Sequence, residues 1–127
     1  MQAVFGAFAE GRPVADTDWT HLSRAVAEAV THSTLALVDG RARISWIADR
    51  AEVVGWAVAY AAHELLTSSQ LPRVKRCAGC PWLYLDQSKN SSRRWCTMED
   101  CGKNAKMKRY VERRTARRAS ARSRSSD

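Results

Sequence analysis

The stretch CAGCPWLYLDQSKNSSRRWCTMEDCGKNAKMKRYVERR, Cys77 to Arg114, contains every cysteine of a 127-residue chain. Cys77 and Cys80 form a Cys-x2-Cys knuckle, fifteen residues precede Cys96, and four more separate Cys96 from Cys101. A knuckle lets two thiolates converge on one ion because its tight turn points successive backbone N–H groups at the sulfurs, with Gly79 as the permissive turn residue. The second pair falls where a helix begins. Cys96 sits just ahead of the first turn and Cys101 inside it, where free N–H groups and the helix dipole favour thiolate charge. Two disulfides, an iron–sulfur cluster and free buried thiols are other outcomes for four cysteines, but knuckle-plus-pair spacing favours a single zinc ion. Four thiolates around Zn²⁺ leave no position for water, so such a metal is structural and supplies folding free energy where apolar residues are few.

Downstream, Thr97 can cap a helix running from Met98 to about Arg118, with Asp100 three residues on as the acidic partner of a capping box. Lys103, Lys106, Arg109, Arg113 and Arg117 fall within one broad face of it, with Lys108, Arg114 and Arg118 beside them. Met107, Tyr110 and Val111 form a narrow apolar stripe expected to dock on the knuckle. Trp82, Leu83, Tyr84, Leu85 and Trp95 are expected to complete a small core. Residues 119–127, ASARSRSSD, are small, basic and serine-rich, a composition expected to be disordered when unbound. The charge is one-sided. Residues 1–72 carry five Lys/Arg against eight Asp/Glu, or −3, whereas residues 73–127 carry sixteen against five, or +11, which together make the net +8. So basic a block points to a polyanion, nucleic acid or anionic membrane, because counterion release favours binding to phosphate.

Upstream, QAVFGAFAEG reads as the end of a helix closed by Gly11 and Pro13. Asp16 or Thr17 can cap a helix from Asp18 to His32, with Leu22, Ala25, Val26, Ala29 and Val30 as its core stripe. Asp39-Gly40 suits a tight turn between strands Thr34–Val38 and Arg43–Ile47. Asp49 then caps an apolar helix whose Val53, Trp56, Ala57, Tyr60, Ala61 and Leu65 are expected to pack on the hairpin and the preceding helix. Trp19, Trp46 and Trp56 are expected in the core, and His21, His32 and His63 in surface or packing roles. Composition changes at Pro72. The fold class is therefore α+β: a helical N-terminal part with a β-hairpin over residues 1–71, then a small treble-clef-like zinc finger ending in a long basic helix over 72–118, then the tail 119–127. No apolar run reaches the roughly eighteen residues a membrane span needs, and MQAVFGAFAEGR lacks a basic leader, which points to a cytoplasmic protein without a membrane partner. There is no nucleophile–base constellation, phosphate-cradling glycine loop or pair of catalytic carboxylates, so an enzyme is not expected.

The segment CAGCPWLYLDQSKNSSRRWCTMEDCGKNAK resembles the CGNR zinc finger: a Cys pair, an aromatic strand ending near Asp86, a Ser/Asn/Arg turn, Arg94-Trp95-Cys96, and a fourth cysteine followed by glycine and basic residues. The naming motif departs from the family's here, since Cys101-Gly102-Lys103-Asn104 puts the asparagine one place late and lysine where arginine is expected. The resemblance implies one zinc ion at Cys77, Cys80, Cys96 and Cys101, and binding of double-stranded DNA. It also implies that residues 1–71 are a partial ABATE-like domain of a bacterial, stress-induced transcription regulator, associated with the nucleoid. For such a partner, Lys89, Arg93 and Arg94 are expected to hold phosphates, with Arg109, Arg113 and Arg117 along the helix. Lys103, Asn104 and Lys106 are expected to reach base edges. Two other partners fit the composition: an acidic surface of the transcription machinery, or RNA, which needs Trp82, Tyr84 or Trp95 exposed for stacking. The first part is expected to form a homodimer or to bind a small-molecule effector between its helices and hairpin.

Overall fold

In the computed structural model, which describes residues 1–46 and 51–124 and side chains as far as Arg118, the backbone divides into two units, Met1–Val74 and Lys75–Asp127. In the first, helix α1 (Gln2–Ala9) stops because Gly11 takes a left-handed φ of +63°. That turn lets the Gly11 N–H reach the Phe8 carbonyl at 3.2 Å and the Arg12 N–H reach Ala7 at 2.9 Å, satisfying two carbonyls at the helix end. Helix α2 spans Asp16–Thr31 with Ala15 at its N-cap and no side-chain cap. Asp16 and Asp18, expected as cap and first helical residue, lie instead in the first turn, where their charge complements the helix dipole.

Helix α3 (Val53–Thr67) packs on α2 through two small clusters. Val4, Leu22 and Ala62 form one, with Phe5, Val14, Val26 and Leu66 around it; Ala29, Trp56 and Ala59 form the other. Alanines at these positions let the two helices approach closely, and the inward line of α3 is Trp56, Ala59 and Ala62, whereas Ala61 faces solvent. Val30 and Trp19, read as core, are exposed. The indole N–H of Trp46 donates to the Ala29 carbonyl at 2.8 Å, engaging one of the last, otherwise unpaired carbonyls of α2. His32 stacks flat on Trp56 with ring centroids 4.5 Å apart.

Between α2 and α3, strands β1 (Thr34–Val38) and β2 (Arg41–Ser45) pair antiparallel, with Val38 opposite Arg41. Asp39 and Gly40 both have positive φ, 51° and 72°, the geometry of a two-residue turn whose twist matches that of the strands. Because the loop is only those two residues, β2 begins at Arg41, two places earlier than Arg43; Ile47 and the expected cap Asp49 lie outside the described residues. Strand alternation puts Leu35 and Leu37 on one face with Ile44 and Ala42. Leu35 and Leu37 remain 74% and 79% exposed, so the expected packing of α3 on the hairpin reduces to an open groove lined by Leu35, Ile44, Trp46, Tyr60 and Glu64 among others.

A 3-10 turn (Leu71–Arg73) leads into strand β3 (Val74–Arg76), within which the division between units falls. Strand β3 pairs with β4 (Leu83–Leu85). A wide π-type turn, Met98–Gly102, then opens helix α4 (Lys103–Arg124). The helix continues past Arg118, so the expected disordered tail is helical as far as Arg124, and 125–127 lie outside the described residues. Trp82 is 71% exposed rather than part of the finger's core. Met107, Tyr110 and Val111 are also more than half exposed, so the stripe expected to dock on the knuckle is uncovered. Among the described residues no helix is long and apolar enough to cross a membrane.

Candidate metal centre

Cys77 leaves β3, and its N–H donates to the Trp82 carbonyl at 2.9 Å, closing the loop that carries Cys80. Inside the knuckle the Gly79 N–H donates to Cys77 Sγ at 3.4 Å, and from the opposite side the Cys96 N–H donates to the same sulfur at 3.3 Å. The Ala78 N–H donates to the Arg94 carbonyl at 3.0 Å, which ties the knuckle to the chain just ahead of Cys96. Gly79 is required here for space, not for an unusual backbone: its φ is not positive, but a Cβ would lie 3.3 Å from Cys101 Cβ and 3.4 Å from Trp95 Cζ3.

The second pair is set by the π-type turn. Thr97 is its N-cap, accepting the Asp100 N–H on Oγ1 at 3.3 Å while its hydroxyl donates to Asp100 Oδ2 at 3.0 Å. The turn closes when the Gly102 N–H reaches back to the Thr97 carbonyl at 3.1 Å. A turn that closes over five residues, wider than an α-turn, suits two ligands placed five apart. Cys96 and Cys101 Sγ are 3.7 Å apart and Cys80 and Cys96 Sγ 3.6 Å apart, and all four sulfurs lie within 4.8 Å of one another.

These separations fit a metal. A tetrahedron with zinc–sulfur bonds of about 2.3 Å has sulfur–sulfur edges of roughly 3.8 Å, and all four cysteines are free rather than joined in pairs. The charge on the sulfurs is arranged unevenly. Burial disfavours a thiolate at Cys77, yet the N–H groups of Cys96 and Gly79, helped by the Cys80 and Cys96 thiols, outweigh it and bring the thiol down to about 6. The sulfurs of Cys80, Cys96 and Cys77, with burial added, push the Cys101 thiol up to about 12. Four sulfurs this close cannot all be ionised without a cation between them, so the donor set calls for a metal and, being complete, leaves it no open position.

One set of positioning residues escaped the sequence reading. Asp86 is fully buried and pairs with Lys75 Nζ at 2.7 Å. It also accepts the Ser88 hydroxyl at 2.6 Å and the N–H groups of Ser88 and Arg93, both at 3.0 Å. Lys75 Nζ also donates to the Ser91 carbonyl. The Lys75 ammonium and then the Ser88 hydroxyl hold the Asp86 carboxyl well below the usual range. One carboxylate thereby shapes the whole turn from Asp86 to Arg93 that brings Cys96 back to the knuckle; the signal in the sequence was the Asp-x-Ser turn inside an otherwise basic segment.

The residues expected to meet nucleic acid divide into four groups. Arg93 is turned to structural use: Nε donates to the Trp95 carbonyl at 2.8 Å, Nη2 donates to the Cys96 carbonyl, and the guanidinium lies 5.0 Å from the centre of the Tyr84 ring. Arg94 lies over Trp95, and with Asn104, Lys108, Arg109 and Glu112 it lines a groove of about 520 Å³ between the knuckle and α4. By helical geometry Lys103, Lys106, Arg113 and Arg117 fall on the side turned away from that groove. Lys103, Asn104 and Lys106 therefore do not share one reading face. Lys89 is exposed in the turn shaped by Asp86.

Residues 73–114 match the family model of the CGNR zinc finger. The four clustered cysteines fit one structural zinc ion in that finger. No curated protein matches the chain.

Proposed function

We propose that this CGNR finger binds double-stranded DNA and that the chain is a bacterial transcription regulator of the cytoplasm, working on the nucleoid. The observation that carries the reading is α4: a 22-residue helix rich in arginine and lysine, solvent-exposed along its described side chains beyond Ala105, and held at its base by the zinc site. A helix so charged resists ordering by itself, and a phosphate backbone relieves that repulsion. Lys103, Lys106, Arg113 and Arg117 supply one cationic edge, and Arg94, Lys108 and Arg109 a second in the groove. Lys89 lies in the neighbouring turn. The role is non-enzymatic, since a closed four-thiolate shell offers the metal no substrate position. In the first unit, either the groove of about 580 Å³ between hairpin and α3 seats a small effector or the bare hairpin face takes a second subunit.

The test is the salt dependence of binding to a mixed-sequence duplex. Neutralising about four to six phosphates gives a log–log slope of about −3 to −6. Affinity that stays constant between about 50 and 200 mM salt, the range over which this effect is large, rejects the reading. One observation favours a second reading: Met107, Tyr110 and Val111 stand at i, i+3 and i+4 and are uncovered, the spacing with which a helix docks into a groove of a protein partner. Replacing all three with polar residues leaves DNA binding intact under the first reading and abolishes partner binding under the second.

A further inference from the structure

Of the three aromatics between Cys77 and Cys101, Trp82, Tyr84 and Trp95, the first is the one that the fold leaves unused among the described residues. Trp82 is 71% exposed, and among the described residues its indole makes no hydrogen bond and no ring contact. Tyr84 and Trp95 differ: the Tyr84 hydroxyl donates to the Arg93 carbonyl and its ring carries Arg93, while Trp95 is covered by Arg94. The backbone beneath Trp82 is fixed from both sides. Its carbonyl accepts the Cys77 N–H at 2.9 Å, and the preceding carbonyl, of Pro81, accepts Arg76 Nη1 at 3.2 Å. A metal ligand therefore anchors the platform, and a guanidinium is bonded one residue away.

We infer that Trp82 is a stacking platform for an unpaired base, so that the finger's preferred nucleic acid is DNA with unpaired nucleotides, such as a bulge or gap, flanked by duplex. This rests on the proposed DNA binding and goes beyond it by naming the form of the DNA. Bases inside a duplex have no free face for an indole to cover, whereas an unpaired base offers one of any sequence. The charge of the unit suits phosphates on either side of such a base. A protein hot spot centred on tryptophan needs a surrounding ring that excludes water; here Pro81 is exposed and Arg76 is the polar neighbour.

The zinc-loaded chain of 127 residues is titrated by fluorescence anisotropy against a labelled duplex and the same duplex carrying a three-nucleotide bulge, as wild type, Trp82→Ala and Trp82→Phe, each checked for one bound zinc. The expected result is a preference of the wild type for the bulged DNA by about 5- to 100-fold, in line with stacking of one base. Trp82→Ala removes that preference while leaving duplex affinity unchanged, and Trp82→Phe keeps most of it. Equal wild-type affinity for the two DNAs overturns the inference, as does a Trp82→Ala variant that keeps the preference or weakens both DNAs alike. A wild type that binds neither DNA overturns the DNA-binding reading itself, a distinguishable outcome.

Discussion

At the scale of single residues, two glycines of the finger differ in what a side chain would meet. A Cβ at Gly79 meets the Cys101 Cβ at 3.3 Å and its Sγ at 3.5 Å, and neither atom can yield without moving a ligand. We expect Gly79→Ala to weaken zinc binding by about 10-fold, the order seen when groups that orient metal ligands are disturbed. At Gly102 the atoms that must move are Met98 Sδ and Cε at 2.9 and 3.0 Å, the outer part of an exposed and flexible side chain, while Trp95 Cδ1 at 3.4 Å is close to ordinary contact. Gly102→Ala is therefore expected to be tolerated. Chelator competition on both variants checks the ranking, and equal affinities refute it. Asp86 offers a second residue-scale test, because Asp86→Asn removes the charge that Lys75 and two N–H groups face. Its carboxyl is depressed by Lys75, so the stabilisation is fully present above the unfolded value of about 4 and is lost only as pH falls below it. The melting temperature of Asp86→Asn should therefore lie below wild type by the same margin at pH 6 and pH 9. A margin that changes across that window assigns the effect to another group.

At the scale of elements, α4 carries cations on two sides, and each side has its own expected effect. Replacing Lys106, Arg113 and Arg117 with Ala removes phosphate contacts from the side away from the groove. The variant should bind all duplexes more weakly and lower the magnitude of the salt slope by about 3, one for each contact. Anisotropy titrations at several salt concentrations measure that slope; an unchanged slope with selective loss on one sequence shows instead that these residues read bases. The same helix shows what was legible from sequence. Thr97 as cap, Asp100 as its partner, the Asp39-Gly40 turn and the convergence of the cysteines all follow from chemistry within a few residues or from ligand spacing. The start of β2 was misplaced because the turn's length, not its composition, fixes the register. Burial was harder to read. The periodicity that marked Leu22 and Ala29 correctly also marked Val30, Met107, Tyr110 and Val111, all exposed, because an apolar stripe shows only what a helix can bury and not what lies opposite. The Asp86 network was hidden for a related reason, since its counter-ion Lys75 lies eleven residues away, and the π-type turn because a local cap such as Thr97 marks where a helix starts but not how wide its first turn is.

At the scale of the whole molecule, the two units draw their order from different sources. Residues 1–74 rely on apolar packing, with Leu22, Ala29, Trp56, Ala59 and Ala62 buried between α2 and α3. The second unit buries little apolar surface: among the described residues, its buried side chains are Cys77 and the carboxylate of Asp86, and the described side chains of its long helix are largely exposed. Small modules of this kind gain much of their folding free energy from the metal, and thiolate ligation couples that gain to pH. With the Cys101 thiol pushed up to about 12 by the neighbouring sulfurs, zinc must displace its proton, so apparent zinc affinity should increase with pH through the neutral range. Calorimetry in buffers of different ionisation enthalpy should detect the released protons. Hydrogen exchange before and after chelation then separates the units. Amides of β3, β4 and the first turns of α4 should lose protection when zinc is removed, whereas those of α2 and α3 keep theirs, because nothing in the Ala29–Trp56–Ala59 cluster depends on a thiolate. Simultaneous loss in both sets would mean that the helical core has no stability independent of the finger, and the division of the chain into an apolar unit and a metal-built one would have to be abandoned.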